Sequence, residues 1–209
     1  LDRYAYEIIQ VIDEIAYHQR KQGKQVPSMT ILVPPDAKRV PDYRYIHVVQ
    51  EKQSRFWTQG VFAWNCRKRR MLPVNLCNEV SMLAPKGICA LHDICYAEED
   101  AGKAFPEEER AWFLKIYKRI CRHSLRVITV SEFSKSRIAE KLGIPADKIL
   151  VAGNGWQHFQ RVETGEGIFD RFPKIEKKNY YLTVSSANPN KNVQWIVKNA
   201  EKYPSNQYV

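Results

Sequence analysis

Short apolar segments alternate with amphipathic helical segments through the middle of this chain. Residues 88–91, 127–130 and 148–152 have the composition of buried strands. Residues 106–123 and 131–142, which lie between them, have the spacing and the end signals of helices. Consecutive parallel strands are joined by right-handed crossovers whose helices cover the sheet. The alternation therefore predicts an α/β fold, a Rossmann-like parallel sheet with helices on both faces.

The ends of the two helices are marked by residue type. Pro106 precedes three glutamates, and basic residues stand at the far end, which matches the helix dipole. Ser131 is typical of an N-cap residue, and Gly143 permits the left-handed conformation that ends many helices. The sequence thus predicts where both helices begin and end.

The same signals predict further elements on either side. Before residue 80 there are helices over residues 2–22 and 54–70 and strands over residues 30–33, 45–49 and 74–77. Near the end, strands over residues 180–184 and 207–209 flank a helix from residue 192 to about residue 202.

Residues 156–179 show no clear periodicity and contain glycines and a proline, which favours a linker. We therefore predict an N-terminal Rossmann-like domain over residues 1–160 and a linker over residues 161–179. Residues 180–209 are predicted to be the first β-α-β unit of a second Rossmann-like domain.

Charge and cysteine content limit the classes of partner and site. The chain has 209 residues, with 33 Lys and Arg against 23 Asp and Glu, so its formal net charge is +10. This favours an anionic partner, which leaves nucleic acid, an acidic membrane surface and phosphorylated small molecules open. Five cysteines without a C-x-x-C pair argue against a disulfide framework and a zinc site. No apolar run approaches the roughly 18 residues of a membrane-spanning helix.

One stretch of the chain resembles a known family. It contains in order Val130-Ser131-Glu132-Phe133-Ser134, Leu142-Gly143-Ile144-Pro145, Asp147-Lys148-Ile149 and Asn154-Gly155. This order is similar to the strand-to-helix corner and the turn before the second domain of retaining GT-B glycosyltransferases, which use nucleotide sugars. Leu91-His92-Asp93 resembles the His-Asp pair at a strand end of the same group, and residues 182–192 resemble the start of its donor-binding domain.

The resemblance implies catalytic roles for His92 and Asp93. His92 would contact the donor sugar near the reacting carbon and stabilise developing charge, and Asp93 would orient His92 or the loop backbone. A buried structural histidine is the alternative that residue type alone leaves open. The resemblance also implies that no metal and no cofactor are needed, since the nucleoside diphosphate sugar is the substrate.

Donor-binding roles are implied for Lys191, Ser186, Asn192 and Ser131. A lysine at the start of a helix suits a diphosphate leaving group, because free N–H groups and positive potential are found there. The alternative for Lys191 is an ordinary exposed lysine, and Ser131 is also expected to cap its helix.

The helix predicted over residues 54–70 combines aromatic side chains with a cationic end. Its distinctive residues are Trp57, Trp64, Arg67, Lys68, Arg69 and Arg70. Such a helix suits an anionic membrane surface or a lipid-linked acceptor. The alternative is a helix whose aromatic rings face the core, with a solvated basic tail.

Together with these features, the resemblance implies a cytoplasmic glycosyltransferase, peripheral at the inner membrane face. It would transfer a hexose from a nucleoside diphosphate sugar to a saccharide or lipid-linked acceptor, in the synthesis of a bacterial capsule, O-antigen or exopolysaccharide. The family's acidic donor-site pair belongs to a later part of the donor domain, so this chain is expected to be incomplete and inactive alone. The alternatives are a basic nucleic-acid-binding α/β protein, for which no recognisable module is present, and a non-catalytic acceptor- or membrane-binding fragment.

Overall fold

The computed structural model describes residues 2–37, 40–163, 165, 167–186 and 188–209. They form two compact units. The first unit comprises the chain up to Ile94 together with Ala111–Gly155, and the second comprises Cys95–Arg110 and Trp156–Val209.

The regular elements of the described residues are α-helices, short parallel strands and a few tighter or wider helical turns. The helices are α1 (Asp2–Lys21), α2 (Ala63–Lys68), α3 (Glu99–Lys103), α4 (Glu107–His123), α5 (Glu132–Leu142), α6 (Gly167–Arg171) and α7 (Val193–Lys202). The strands are β1 (Thr30–Val33), β2 (His47–Gln50), β3 (Val74–Asn75), β4 (Gly87–Ala90), β5 (Ser124–Thr129) and β6 (Ile149–Val151).

A four-stranded parallel sheet forms the centre of the first unit. Its order is β3-β4-β5-β6, and Val127 of β5 stands opposite Cys89 and Ile149. The deepest side chains come from β5 and β6, from the residue after β4 and from helices α4 and α5: Leu91, Ile120, Val127, Ile138 and Ile149. The predicted α/β fold with parallel strands and flanking helices is therefore confirmed.

Strands β1 and β2 form a separate two-stranded parallel sheet. The strand predicted over residues 45–49 begins two residues later than expected. The carboxylate of Asp13 accepts hydrogen bonds from the N–H groups of Arg44, Tyr45 and Ile46, each at 2.8 Å. Backbone donors used in this way cannot join a strand ladder, so β2 starts only after them.

Both predicted ends of helix α5 are confirmed. Ser131 Oγ accepts a hydrogen bond from the N–H of Ser134 at 3.0 Å at the start of α5. Gly143, directly after α5, has φ 64° and ψ 37°, the left-handed conformation that favours glycine.

The single helix predicted over residues 54–70 is wrong in its geometry. Trp57–Phe62 form a π-helix, and α2 follows it directly. Thr58, Gly60 and Val61 lie in the π-helical turn, and these residue types stabilise an α-helix poorly. The helical character was predicted, but the wider turn was not.

The second unit contains a β-α-β arrangement around α7. Tyr181 and Tyr208 form a parallel bridge. The N–H of Tyr181 donates to the carbonyl oxygen of Gln207 at 2.8 Å, and the N–H of Val209 donates to that of Tyr181 at 2.9 Å. The helix predicted from residue 192 to about residue 202 is present as α7, whereas the strands predicted over residues 180–184 and 207–209 are reduced to this single bridge.

The five cysteines all lie within the described residues and form no disulfide. Burial raises the pKa of the Cys89 thiol to about 12 and that of the Cys121 thiol to about 11. A buried, protonated thiol is a poor nucleophile, so these two cysteines act as core side chains.

Candidate active site

The carboxyl ends of β3, β4, β5 and β6 meet at one edge of the parallel sheet. Open α/β sheets bind their ligands beyond this edge. The chain places Leu76, His92, Ser131 and Ala152 just after the four strands. The edge is therefore the candidate active site of the first unit, and it brings together His92, Asp93 and Ser131 of the predicted site residues.

His92 is buried and bound to the neighbouring strands. Its backbone N–H donates to Asn78 Oδ1 at 2.9 Å, and its Nε2 lies 3.0 Å from the carbonyl oxygen of Leu76. The carbonyl oxygen of His92 accepts a hydrogen bond from Thr129 Oγ1 at 3.2 Å. Because a carbonyl oxygen can only accept, Nε2 is the protonated nitrogen and Nδ1 keeps its lone pair in the neutral ring.

Tyr4 of α1 packs against the ring of His92. The two ring centroids are 4.4 Å apart and the ring planes make an angle of 77°, which is an edge-to-face contact. The Tyr4 hydroxyl donates to the carbonyl oxygen of Ala152 at 3.1 Å. Burial raises the pKa of Tyr4, so the hydroxyl stays protonated and can donate at neutral pH. Through these contacts His92 is connected to the carboxyl ends of all four strands.

Asp93 and Ser131 flank His92 at this edge in different surroundings. Asp93 is exposed, although its neighbour His92 is buried. Ser131 is half-buried, and its hydroxyl accepts from the N–H of Ser134 at 3.0 Å and donates to Ser134 Oγ at 3.1 Å. The hydroxyl of Ser131 is therefore held by helix α5.

The second unit has a pocket of about 320 Å³ beside the start of α7. Its lining combines hydroxyl and apolar side chains: Thr183, Ser185, Ser186, Val193, Ile196, Tyr208 and Val209. Ser186, one of the predicted donor-binding residues, is part of this lining. The pocket offers hydrogen-bonding hydroxyl groups next to an aromatic ring.

Lys191 and Asn192 lie just before α7 and are exposed. Lys191 ends the 3₁₀ turn Pro189–Lys191, and its N–H donates to the carbonyl oxygen of Asn188 at 2.9 Å. Asn192 has φ 47° and makes no side-chain capping bond to α7. The Asn192 side chain thus does not cap the first turn of α7, where the N–H of Trp195 donates to the carbonyl oxygen of Asn192 at 3.0 Å.

Helix α2 buries small residues, while aromatic side chains in and before it are exposed. Ala63 and Cys66 are buried, whereas Phe56 is 70% exposed and Trp64 is 66% exposed. Trp57 is half-buried. Trp64 therefore faces outward, and the core-facing alternative is wrong for this ring.

A groove of about 610 Å³ lies along this segment, and we call it the α2 groove. It is lined by Glu51, Gln59, Gly60, Val61, Ala63, Trp64, Asn65, Arg67 and Leu83. Arg67 Nε donates to the carbonyl oxygen of Leu83, and an Arg69 nitrogen lies 3.5 Å from a Glu51 carboxylate oxygen. Lys68 and Arg70 are exposed at the end of the helix. An apolar surface with an exposed indole thus adjoins the predicted basic run.

Across the described part of the chain, no group of three or more His, Cys, Asp or Glu side chains is placed to hold a metal ion. Within the same residues, no helix has both the length and the apolar character needed to cross a bilayer.

Sequence reasoning missed Tyr4, Leu76 and Asn78 as neighbours of His92. Leu76 acts through its backbone carbonyl, which leaves no signal in the residue type. Asn78 has φ 55°, and asparagine adopts this conformation more easily than most residues. An asparagine shortly after a strand was the one available signal for a bent backbone at this edge.

The parallel sheet and the polar side chains beyond its carboxyl ends define a Rossmann-like α/β protein with a candidate ligand site at the strand ends. The family model described as Glycosyltransferase Family 4 matches residues 82–157 of this chain. The matched segment contains β4, β5 and β6 together with His92, Asp93 and Ser131. No curated protein matches the chain. The family match supports glycosyltransferase activity.

Proposed function

We propose that this protein transfers a sugar from a nucleoside diphosphate sugar to an acceptor hydroxyl, with retention at the anomeric carbon. One observation carries the proposal: the segment that matches the glycosyltransferase family model contains the strand ends at which His92 and Ser131 stand. Ligands of open α/β sheets bind at such ends, so the matched segment and the candidate site coincide.

One ring nitrogen of His92 remains to take part in the reaction. Its Nε2 is committed to the carbonyl oxygen of Leu76, which leaves Nδ1 to accept a hydrogen bond from the donor sugar. Such a contact positions the sugar and stabilises charge that develops near the reacting carbon. Asp93, next to His92 in the sequence, would orient His92 or the loop backbone.

The second unit would bind the nucleoside diphosphate part of the donor. The pocket that contains Ser186 provides hydroxyl groups and the ring of Tyr208. Lys191 and the start of α7, which the Asn192 side chain does not cap, suit the negative charge that builds up on the diphosphate as it leaves. Asn192 lies between Lys191 and α7 in the sequence, so it would share these donor contacts.

The acceptor class and the cellular role follow from the α2 groove and the resemblance. We propose a hexosyltransferase of bacterial surface polysaccharide synthesis that works at the cytoplasmic face of the membrane. A groove with an exposed indole beside Arg67 and Arg69 supports a saccharide or lipid-linked acceptor, or an anionic membrane surface.

The proposed reaction is tested with the product of the complete gene, a panel of nucleoside diphosphate sugars and extracted lipid or saccharide acceptors. Release of nucleoside diphosphate and formation of glycosylated product are measured together. His92→Gln should reduce kcat by about a hundredfold, the scale of losing one group that stabilises transition-state charge, because glutamine can donate to Leu76 but lacks the imidazole.

His123→Gln is the matched control. His123 is half-buried, and its Nε2 lies 3.1 Å from the carbonyl oxygen of Ala84, a contact like that of His92 with Leu76. Its substitution should alter stability to a similar extent and leave kcat unchanged. Equal losses of activity in the two variants, in proportion to their stability, would assign His92 a structural role only.

A further inference from the structure

We propose that Tyr4 is a positioning residue that fixes the ring plane and the tautomer of His92. The functional side of this inference rests on the proposed part of His92 in sugar transfer. The structural side rests on contacts in the first unit alone, and it can be tested without any transfer activity.

The ring of Tyr4 limits how the ring of His92 can turn. The centroids are 4.4 Å apart at an interplanar angle of 77°, so rotation of the imidazole about its Cβ–Cγ bond would change the edge-to-face contact. The same rotation would take Nε2 away from the carbonyl oxygen of Leu76, 3.0 Å away. The two contacts therefore favour one ring orientation, in which Nε2 is protonated and Nδ1 has the lone pair.

The ring of Tyr4 is itself held at both ends. Its backbone belongs to α1, and its hydroxyl donates to the carbonyl oxygen of Ala152 at 3.1 Å. Ala152 is fixed in turn, because its N–H donates to the carbonyl oxygen of Thr129 at 2.8 Å. Thr129 Oγ1 also donates to the carbonyl oxygen of His92. A closed set of contacts thus runs from His92 through Tyr4, Ala152 and Thr129 and back to His92.

Tyr4 is buried, whereas Tyr6 on the same helix is exposed. Tyr4 is 7% exposed and packs against Leu76 and Ala90, whereas Tyr6 is 40% exposed. A buried tyrosine hydroxyl needs a partner, and the partner here is a carbonyl at the edge of the candidate site. Phenylalanine could fill the same space, so the hydroxyl adds a tether to the residues that follow β6.

The inference is tested with the full chain in which histidine ring nitrogens carry ¹⁵N. The ¹⁵N chemical shifts of His92 report which nitrogen is protonated. The unmodified protein should give the signature of a single Nε2-protonated tautomer. Tyr4→Leu should give shifts averaged between the two tautomers, while Tyr4→Phe, which keeps the ring contact, should retain the single-tautomer signature.

Tyr6→Leu is the control, since it makes the same substitution at an exposed position of α1 and should leave the His92 signals unchanged. A folded Tyr4→Leu variant with the unmodified His92 signature would overturn the inference, as would an equal change in Tyr6→Leu. Where Tyr4→Leu does not fold, Tyr4→Met gives the same comparison, because methionine adapts to irregular space in a core.

Transfer assays with the product of the complete gene add a second readout. Misplacement of a catalytic group by about 1 Å costs up to about a hundredfold in rate, so Tyr4→Leu should lower kcat and leave the KM for the donor unchanged. A lower melting temperature with unchanged kcat would assign Tyr4 to packing only. If the unmodified protein transfers no sugar, the proposed function fails, whereas the ¹⁵N result still decides the role of Tyr4.

Discussion

Asp13 connects the first helix to the loop before β2 through its side chain. The carboxylate accepts hydrogen bonds from the N–H groups of Arg44, Tyr45 and Ile46. Burial acts to raise the pKa of this carboxyl, but the three backbone hydrogen bonds act in the opposite direction and hold the pKa below its usual value. The ionised form is therefore the one that the folded protein stabilises.

Asp13→Asn should lower the free energy of unfolding by about 1–3 kcal/mol at pH 7, the usual contribution of hydrogen bonds to a charged group. Asparagine keeps one acceptor oxygen but loses the charge and the second acceptor. Urea denaturation measures the difference, and Glu14→Gln, an exposed change at the next position, serves as the control. Equal stability of the Asp13→Asn and unmodified proteins would contradict the assigned role.

The pH dependence of this difference follows from the direction of the pKa shift. The unfolded-state pKa of an aspartate is about 3.9, and the folded-state pKa of Asp13 is lower. Asp13 therefore stabilises the folded protein fully above the unfolded-state value, and this contribution is lost as the pH falls through the folded-state pKa. The difference in the free energy of unfolding between the unmodified and Asp13→Asn proteins should be constant from about pH 7 to pH 5. It should become smaller below about pH 4.

At the scale of elements, the pairing of β3 with β4 depends on a glycine. A Cβ atom on Gly87 would lie 2.1 Å from the carbonyl oxygen of Pro73, far inside contact distance. The N–H of Ile88 donates to the same oxygen at 2.8 Å. The backbone before β3 therefore approaches the start of β4 at a distance that only glycine permits.

Gly87→Ala should destabilise the protein by about 1–3 kcal/mol, because the added methyl group forces the two backbones apart. Thermal and urea unfolding measure the loss. Gly60→Ala is the control: its added Cβ would lie 3.7 Å from the Cβ of Phe56, an ordinary contact, so its effect should be small. An unchanged free energy of unfolding in Gly87→Ala would mean that β3 and β4 can move apart without destabilising the protein.

Elements with local end signals could be predicted from the sequence, and those set by distant partners could not. Ser131 and Gly143 define α5 through their own side chain and backbone preference, so α5 was found with both its ends. The start of β2 depends on Asp13, which lies far away in the sequence, in helix α1. The π-helix has no residue pattern of its own, and the sequence therefore predicted only a helix there.

The residues of the candidate site likewise fall into those that the sequence predicts and those that it does not. The position of His92 at a strand end followed from the apolar run before it, and its proposed role followed from the family resemblance. Its neighbours Tyr4 and Asn78 come from distant positions in the chain, and Leu76 contributes only a carbonyl oxygen. The alternation of residue types can locate a strand end, but the side chains that surround it depend on the tertiary packing.

At the scale of the whole molecule, the net charge of +10 favours an anionic partner. The most compact basic run, Arg67 to Arg70, is exposed at the end of α2 beside the α2 groove. The ion pair of Arg69 with Glu51 is partly exposed, and such pairs contribute little to stability. This end of α2 therefore retains a positive potential that an anionic surface can meet.

If this surface rests on an anionic bilayer, cations and indole should contribute separately to binding. Each cation near such a surface is worth about 1 kcal/mol, so Lys68→Gln with Arg70→Gln should weaken co-sedimentation with anionic vesicles by about thirtyfold. Rising salt should weaken the unmodified protein likewise, since the attraction decays within a Debye length. Trp64→Ala should reduce the part of the binding that salt does not affect.

Three comparisons distinguish membrane binding from other roles of the basic run. Trp112→Ala removes another exposed indole, 57% accessible on α4, and should leave sedimentation unchanged. Neutral vesicles should retain little protein, and duplex DNA at the same salt concentration tests the nucleic-acid alternative, whose affinity should fall steeply with salt. Sedimentation of the Lys68→Gln, Arg70→Gln protein at the unmodified level would exclude this end of α2 as a membrane contact. Tighter binding to DNA than to vesicles, lost in the same variant, would assign the basic run to nucleic acid.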